Sequence, residues 1–429
     1  MNLKSLTIAA AVALVLVGCG GGSGTGTPPP TGVNPPPPPP PPPPPAPEIG
    51  VFVDAPVAGI GYRISGSTEV KFTNALGQFE YQPGDQVVFS IGGIELPPVA
   101  ASDTVTPLMV FETSNLTDPQ VVNLARLLQT LDSDPTDDVI TIAEAAHQNA
   151  ANLEVDFADT AAFETSVTNL IANGGGSTML VSAEVAVQQM QEELVTRGLS
   201  PVGTWYVRGE SNALITLTFM NDGRYLLVED SVPEAGDTSG QPGVEYGTYE
   251  WNSATGVLTA QVAAGTETFL TDTNGEWGLS DPQGTMTMVI SGDTAVIAES
   301  GGEPGDEGTL VHRVTADANK PLVGTWIVPT GTCGCGLALA IFIDDEAGRN
   351  YVQAEISESD EAGQSGYEVG SYEVNAEAGQ VSVHVTSNTN GDWGLAGNDV
   401  DAVIPMVVEG DALNFNFEGE EPFSVPRLF

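Results

Sequence analysis

The chain has 429 residues, with 57 acidic and 11 basic side chains and a formal net charge of −46. A surface this acidic repels phosphate backbones, which argues against a nucleic-acid partner, and it would repel an anionic leaflet unless divalent cations intervened. The length allows roughly two to four ordinary domains.

Residues 1–18 stand apart from any of them. Lys4 supplies a positive n-region, and Leu6 to Val17 is an apolar h-region too short to span a bilayer as a helix. The stretch ends Leu16-Val17-Gly18-Cys19, which resembles the lipobox of bacterial lipoproteins. The resemblance implies a signal peptide over 1–18, an acylated Cys19 and attachment to membrane lipid. Gly20, where inner-membrane lipoproteins typically carry Asp, implies sorting to the outer membrane. Acyl chains hold at ~0.8 kcal/mol per buried CH₂, so several on one residue give lasting anchorage. Residues 19–48 form a Gly/Pro-rich tether. Its unbroken run Pro35 to Pro45 would reach roughly 34 Å as polyproline II at ~3.1 Å per residue.

Residues 49–198 open as short strands punctuated by Asn74, Gly77, Pro83-Gly84 and Gly92-Gly93. Val87, Phe89 and Ile91 alternate with Val88 and Ser90, the pattern of a half-buried strand. The segments Asp54-Ala55-Pro56-Val57-Ala58-Gly59 and Thr73-Asn74-Ala75-Leu76-Gly77-Gln78-Phe79 resemble the carboxypeptidase regulatory-like, transthyretin-type β-sandwich. That resemblance implies a non-catalytic stalk or adaptor. The period then changes. Asp118-Pro119-Gln120 reads as a helix start, followed by apolar positions through Leu131. Further helices are expected over about 158–173 and 180–197, packed on the sandwich. Between them Asp132, Asp134, Asp137 and Asp138 crowd one loop. Four carboxylates this close repel unless a cation or solvent relieves them, so calcium and a solvated acidic loop are both open readings, the second the plainer.

From about Ser200-Pro201 the chain is all β and repeats itself, giving units 199–318 and 319–429. Val202-Gly203-Thr204-Trp205 matches Val323-Gly324-Thr325-Trp326. Gly247-Thr248-Tyr249-Glu250 matches Gly370-Ser371-Tyr372-Glu373, and TNGEWGLS at 273–280 matches TNGDWGLA at 389–396. The matches keep their order while their spacing drifts, as duplication with loop insertions does. Each copy carries eight or nine strand-like segments, with Ile215, Leu217 and Phe219 alternating with Thr216 and Thr218 in the first. Gly203 with Trp205, and Gly324 with Trp326, each followed late in its copy by Arg313 or Arg427, resemble the lipocalin and calycin signature. The family's middle motifs have no match. The resemblance implies two antiparallel barrels, each closed at one end by an arginine over the tryptophan.

Other chemistry is sparse. Asn274-Gly275 and Asn390-Gly391 are tight-turn dipeptides. The oxygens of Asp272, Asn274 and Glu276, and of Asn388, Asn390 and Asp392, alternate as in calcium loops, although no bidentate glutamate follows at the usual distance. Cys333 and Cys335 would oxidise outside the cytoplasm, to a structural staple or a strained, more reactive disulfide. His147, His312 and His384 fall in different segments. No Gly-x-Ser-x-Gly elbow, His-Glu-x-x-His pair or Lys-bearing phosphate loop occurs.

The expected fold is therefore mainly β: a small β-sandwich with accessory helices, then two tandem lipocalin-like barrels. The expected role is non-enzymatic and needs no cofactor beyond the open question of calcium. Anchored in outer-membrane lipid through Cys19, the protein would bind a hydrophobic small molecule, a lipid or hydrocarbon, within the barrels. The alternative is a surface adhesin or scaffold presenting stacked β domains to an envelope or cell-surface partner.

Overall fold

The computed structural model describes residues 46–209, 213–231, 240–280, 282, 284–300, 308–328, 336–361, 363–419 and 421–429. Cys19, the proline run, Cys333 and Cys335 lie outside the described residues.

The first module is built from β1 (Glu48–Phe52), β2 (Val57–Ala58), β3 (Gly61–Ile64), β4 (Lys71–Phe72), β5 (Gln78–Tyr81), β6 (Gln86–Ile91), β7 (Ile94–Glu95), β8 (Val99–Ala100) and β9 (Thr104–Val105). One sheet runs β5-β1-β9; another runs β4-β3-β6-β7, with β8 also on β6. Phe52, Phe79 and Phe89 meet between them, the last pair edge to face at 5.2 Å. The two motif segments are stitched together: Thr73 Oγ1 donates to the Val57 carbonyl at 2.6 Å and accepts from the Ile60 N–H. Asn74 Oδ1 accepts from the Leu76 and Gln78 amides, and Gly77 turns at φ 71°. The expected half-buried strand is β6, and the structure corrects the expectation. Val88 and Ser90 are buried along with Val87, Phe89 and Ile91, so both faces of β6 are covered.

Next come α1 (Pro107–Val110), α2 (Pro119–Leu131), β10 (Ile140–Thr141), α3 (Glu144–Asn149), α4 (Thr160–Asn173) and α5 (Ala183–Thr196). The three longer helices follow the apolar period, and their starts follow side-chain caps from Asp118, Asp159 and Ser182. The short α1 and α3 have too few turns to declare a period. Phe163, Val167 and Leu170 of α4 join the sandwich core. Ala186, Met190 and Leu194 of α5 pack elsewhere, against Val121 and Ala125 of α2 and against Val202 at the start of the next module. Helix α2 is thus the partition between two cores. Its Arg126 is held by the Val181 carbonyl, Asn123 and Glu164.

The first repeat is an eight-stranded antiparallel meander: β11 (Gly203–Arg208), β12 (Leu214–Phe219), β13 (Arg224–Glu229), β14 (Gly243–Trp251), β15 (Leu258–Val262), β16 (Met286–Ser291), β17 (Thr294–Glu299) and β18 (Thr309–Arg313). Strand β18 returns to β11, pairing Arg313 with Trp205. A bridge from Val257 to Thr287, with the Met288 N–H donating to the Gly256 carbonyl at 2.7 Å, nearly closes the remaining seam. The second repeat follows the same course through β19 (Gly324–Val328), β20 (Leu337–Asp345), β21 (Gly348–Ile356), β22 (Gly366–Asn375), β23 (Gln380–Asn388), β24 (Asp401–Ile404), β25 (Met406–Glu409), β26 (Ala412–Phe415) and β27 (Phe423–Pro426). Pro405 has no N–H for a ladder, and there the chain changes partners: β24 pairs with β23, β25 with β26. A bridge between Trp326 and Arg427 joins the last strand to the first.

The barrels pack side by side. Leu214, Leu226, Val228 and Val244 of the first meet Leu337, Leu339, Ile341 and Val352 of the second in one apolar cluster. Equivalent residues face each other across this seam: Thr204 and Thr325 share a hydrogen bond at 2.6 Å. Arg208 makes a bidentate pair with Asp345, and Tyr367 donates to Asp230. This seam corrects the expectation for β12. Thr216 and Thr218 are as buried as Ile215 and Leu217, because the other barrel covers the strand's outer face. Leu339 is fully buried in that seam. Leu339→Ala is expected to cost about 2–5 kcal/mol and to lower the stability of both barrels in one transition, read by denaturant unfolding with tryptophan fluorescence.

Candidate functional site

The six signature residues come together as two matching ends. The Arg313 guanidinium carbon lies 4.0 Å from the Trp205 ring centroid, and that of Arg427 lies 4.1 Å from Trp326. Arg313 donates to the carbonyls of Val202 and Ser200, and Arg427 to those of Val323 and Pro321. Each indole N–H donates back into the same entry segment, Trp205 to the Pro201 carbonyl at 2.7 Å and Trp326 to Leu322 at 3.0 Å. The glycines are required by space. Gly203 and Gly324 sit at φ 131° and 144°, and a Cβ on either would run into the Nη1 of its arginine. Burial lowers the Arg313 pKa to about 10 and moves Arg427 in the same direction. Among the described residues Arg313 makes no ion pair, while Arg427 has the exposed Asp411 carboxylate at 3.6 Å.

The opposite ends hold the repeated turn. Asp272 Oδ1 accepts from the amides of Asn274 and Gly275, as Asn388 Oδ1 does from Asn390 and Gly391; Gly275 and Gly391 take φ 73° and 79°. The irregular segment beyond each turn then latches onto a buried glutamate. Glu245 accepts from Tyr225 Oη at 2.7 Å, the Leu279 N–H at 2.9 Å and Ser280 Oγ at 2.7 Å. Glu368 accepts from Tyr351 Oη at 2.8 Å and from the Leu395 and Ala396 amides. Side chains on Gly278 or Gly394, both at φ 147°, would strike those carboxylates. Burial pushes both glutamates above the usual carboxylate range, and the same hydrogen bonds oppose the shift. The turn is thus a plug across the barrel mouth. Trp277 packs on Gly240 and Trp393 on Gly363, at the rim. The alternating oxygens do not converge: the first residue of each set caps its own turn, and Glu276 and Asp392 are exposed.

Between closed end and plug the lumen holds protein. In the first barrel Trp205, Phe219, Tyr225, Tyr249 and Met288 pack on one another; in the second Trp326, Phe342, Tyr351, Tyr372 and Leu413 do so. Sequence reasoning expected a ligand in this space. It also missed Glu245 and Glu368, although each stands between two apolar or aromatic neighbours, two residues before the glycine of the matched Gly-Thr/Ser-Tyr-Glu block.

The acidic loop uses its carboxylates internally. Asp132 accepts from the Asp134 and Thr141 amides, Asp134 from Thr136 Oγ1 and Asp137 from the Val139 amide, while Asp138 is exposed. Among the described residues no three His, Cys, Asp or Glu side chains group to hold a metal. Cys333 and Cys335 lie outside the described residues. His147 ties α3 to the sandwich: its Nδ1 accepts from the Gly92 N–H at 3.0 Å, which leaves Nε2–H to donate to the Gly59 carbonyl at 2.8 Å. His384 pairs with Asp401 on the surface. Ser371 stands opposite His384 on β22, but among the described residues no hydrogen bond joins its hydroxyl to the imidazole.

Where α2 and α5 face the arginine ends of both barrels, a cleft of about 1000 Å³ opens. Val122, Val187, Val202 and Phe429 form part of its wall, and Arg126, Arg313 and Arg427 all reach it. It is the concave feature on which all three modules converge.

Two outcomes test these arrangements. Gly324→Ala is expected to lose about 2 kcal/mol or more of stability, through left-handed backbone strain plus the collision with Arg427, read as a shifted denaturation midpoint. In the first module Asp54 is fully buried beside Gln129, and burial raises its pKa to about 8. A carboxyl raised on folding stabilises fully below its unfolded pKa and loses that contribution as pH climbs through the folded value. Asp54→Asn should therefore match the parent in acid, gain on it as pH rises above 3.8, and hold its full advantage in urea resistance above pH of about 8.

No family model, no curated protein and no solved structure matches this chain.

Proposed function

We propose that this is a non-enzymatic protein, anchored to the outer membrane through Cys19, whose paired barrels act as a rigid scaffold or adhesin for an envelope or cell-surface partner. The observation that carries the reading is the filling of both barrels. Arginine and tryptophan seal one end, the glutamate-latched turn plugs the other, and aromatic side chains occupy the space between. A barrel built this way has no room set aside for cargo, which leaves its outer surface and loops for recognition. The joined pair supports the same role, since a continuous apolar seam fixes the two sets of loops relative to each other. The sparse chemistry agrees: the histidines are used as structural or surface groups, and the most perturbed carboxyl, Asp54, is buried against an amide.

The test compares cells carrying the full chain with cells carrying a chain that lacks residues 199–429, at matched membrane levels. Loss of surface attachment, and of the partner recovered by in-cell cross-linking, is expected on deletion. Unchanged attachment and recovery would overturn the scaffold reading. A stoichiometric hydrophobic adduct retained inside the barrels in native mass spectrometry would replace it with carriage.

A further inference from the structure

We propose that the cleft between α2, α5 and the two arginine ends is a binding site for a single-chain carboxylate amphiphile, a fatty-acid-like anion. Its size falls within the range of small-molecule sites, about 300–1,000 Å³, and it lies at a junction of modules, where such sites concentrate. Its walls offer Val122, Val187, Val195 and Phe429 to an apolar tail.

The charge pattern selects the head group. Only 11 of the chain's residues are basic, yet Arg126, Arg313 and Arg427 line this one cleft. Arg126 and Arg313 are buried, at 8% and 9% exposure, and Arg427 is half-buried, so their charge is less screened than on an open surface. Among the described residues Arg313 is the one of the three without an ion pair, the Asp293 carboxylate acting on it only from farther away. Its two terminal nitrogens donate to carbonyls, and its buried Nε has no hydrogen-bond partner. Glu184, Glu192 and Asp411 also line the cleft, but they are exposed, and solvent and salt screen such charges. A planar guanidinium matches a carboxylate in shape as well as in charge. A cationic amphiphile would meet three arginines, and a neutral one would bring no charge to Arg313, which lacks an ion pair among the described residues.

The experiment uses residues 20–429, which include every described residue, and 11-bromoundecanoate as the probe. Trp205 and Trp326 lie beneath two of the cleft arginines, so a bromine held in the cleft should quench tryptophan emission. Saturable quenching is expected, with 11-bromoundecanol binding at least about tenfold more weakly. Arg313→Met endangers the barrel itself, so two α5 variants at cleft-lining positions outside the core carry the test. Gln188→Phe should abolish the quenching by filling the space without adding a tryptophan. Gln191→Glu should weaken the acid by about fivefold, by like-charge repulsion, and leave the alcohol unchanged. Absence of saturable quenching overturns the proposal. So does binding of acid and alcohol with equal strength, or binding indifferent to both α5 variants.

Discussion

A meander of strands ends with two unpaired edges, and everything in the C-terminal half of this protein depends on how those edges are joined. The joint is a buried cation on an indole face. Arg313 and Arg427 bring the last strand of each repeat onto the first, and each binds both the ring and the carbonyls of the entry segment. A desolvated cation–π contact is worth about 2 kcal/mol or more. The carbonyls add hydrogen bonds that a lysine could not place with the same geometry. The glycine two residues before each tryptophan leaves the guanidinium its space, so three residue types at fixed places make one fastening.

The second fastening differs in kind. At the mouths a carboxylate, taken out of water, gathers a tyrosine hydroxyl and backbone amides of the repeated turn. Burying a charge without such donors would cost several kcal/mol. The turn is therefore held by the glutamate's need for donors, and the glutamate by the turn's supply of them. Cation at one end and anion at the other also give every barrel an internal polarity that both copies share.

Much of this was legible in the sequence, and the reasons are local. Gly-Thr-Trp and the late arginine stand out because basic residues are rare in this chain. The helix starts at Asp118, Asp159 and Ser182 belong to the residue types that cap, and Asn-Gly announces its turn. What escaped was non-local. Thr216 and Thr218 alternate with Ile215 and Leu217 as solvent-facing residues do, and threonine serves as well against another barrel as against water. Leu337, Leu339, Ile341 and Ile343 did carry a sign, an apolar set facing away from the lumen; a strand buried on both faces loses its period of two. The plugging glutamates were hidden by abundance, two among 57 acids. The cleft is lined from many separated stretches of chain and has no signature in any one of them.

The seam between the barrels has the geometry of a dimer interface in which equivalent residues, such as Thr204 and Thr325, meet each other. Here the two halves are one polypeptide, and only residues 314–323 separate the last strand of the first from the first strand of the second. A short tether of this kind fixes the local concentration of each half around the other in the millimolar range. Pairing that would otherwise weaken on dilution becomes a property of the single molecule. The protein would thus keep its paired form however few copies the cell makes.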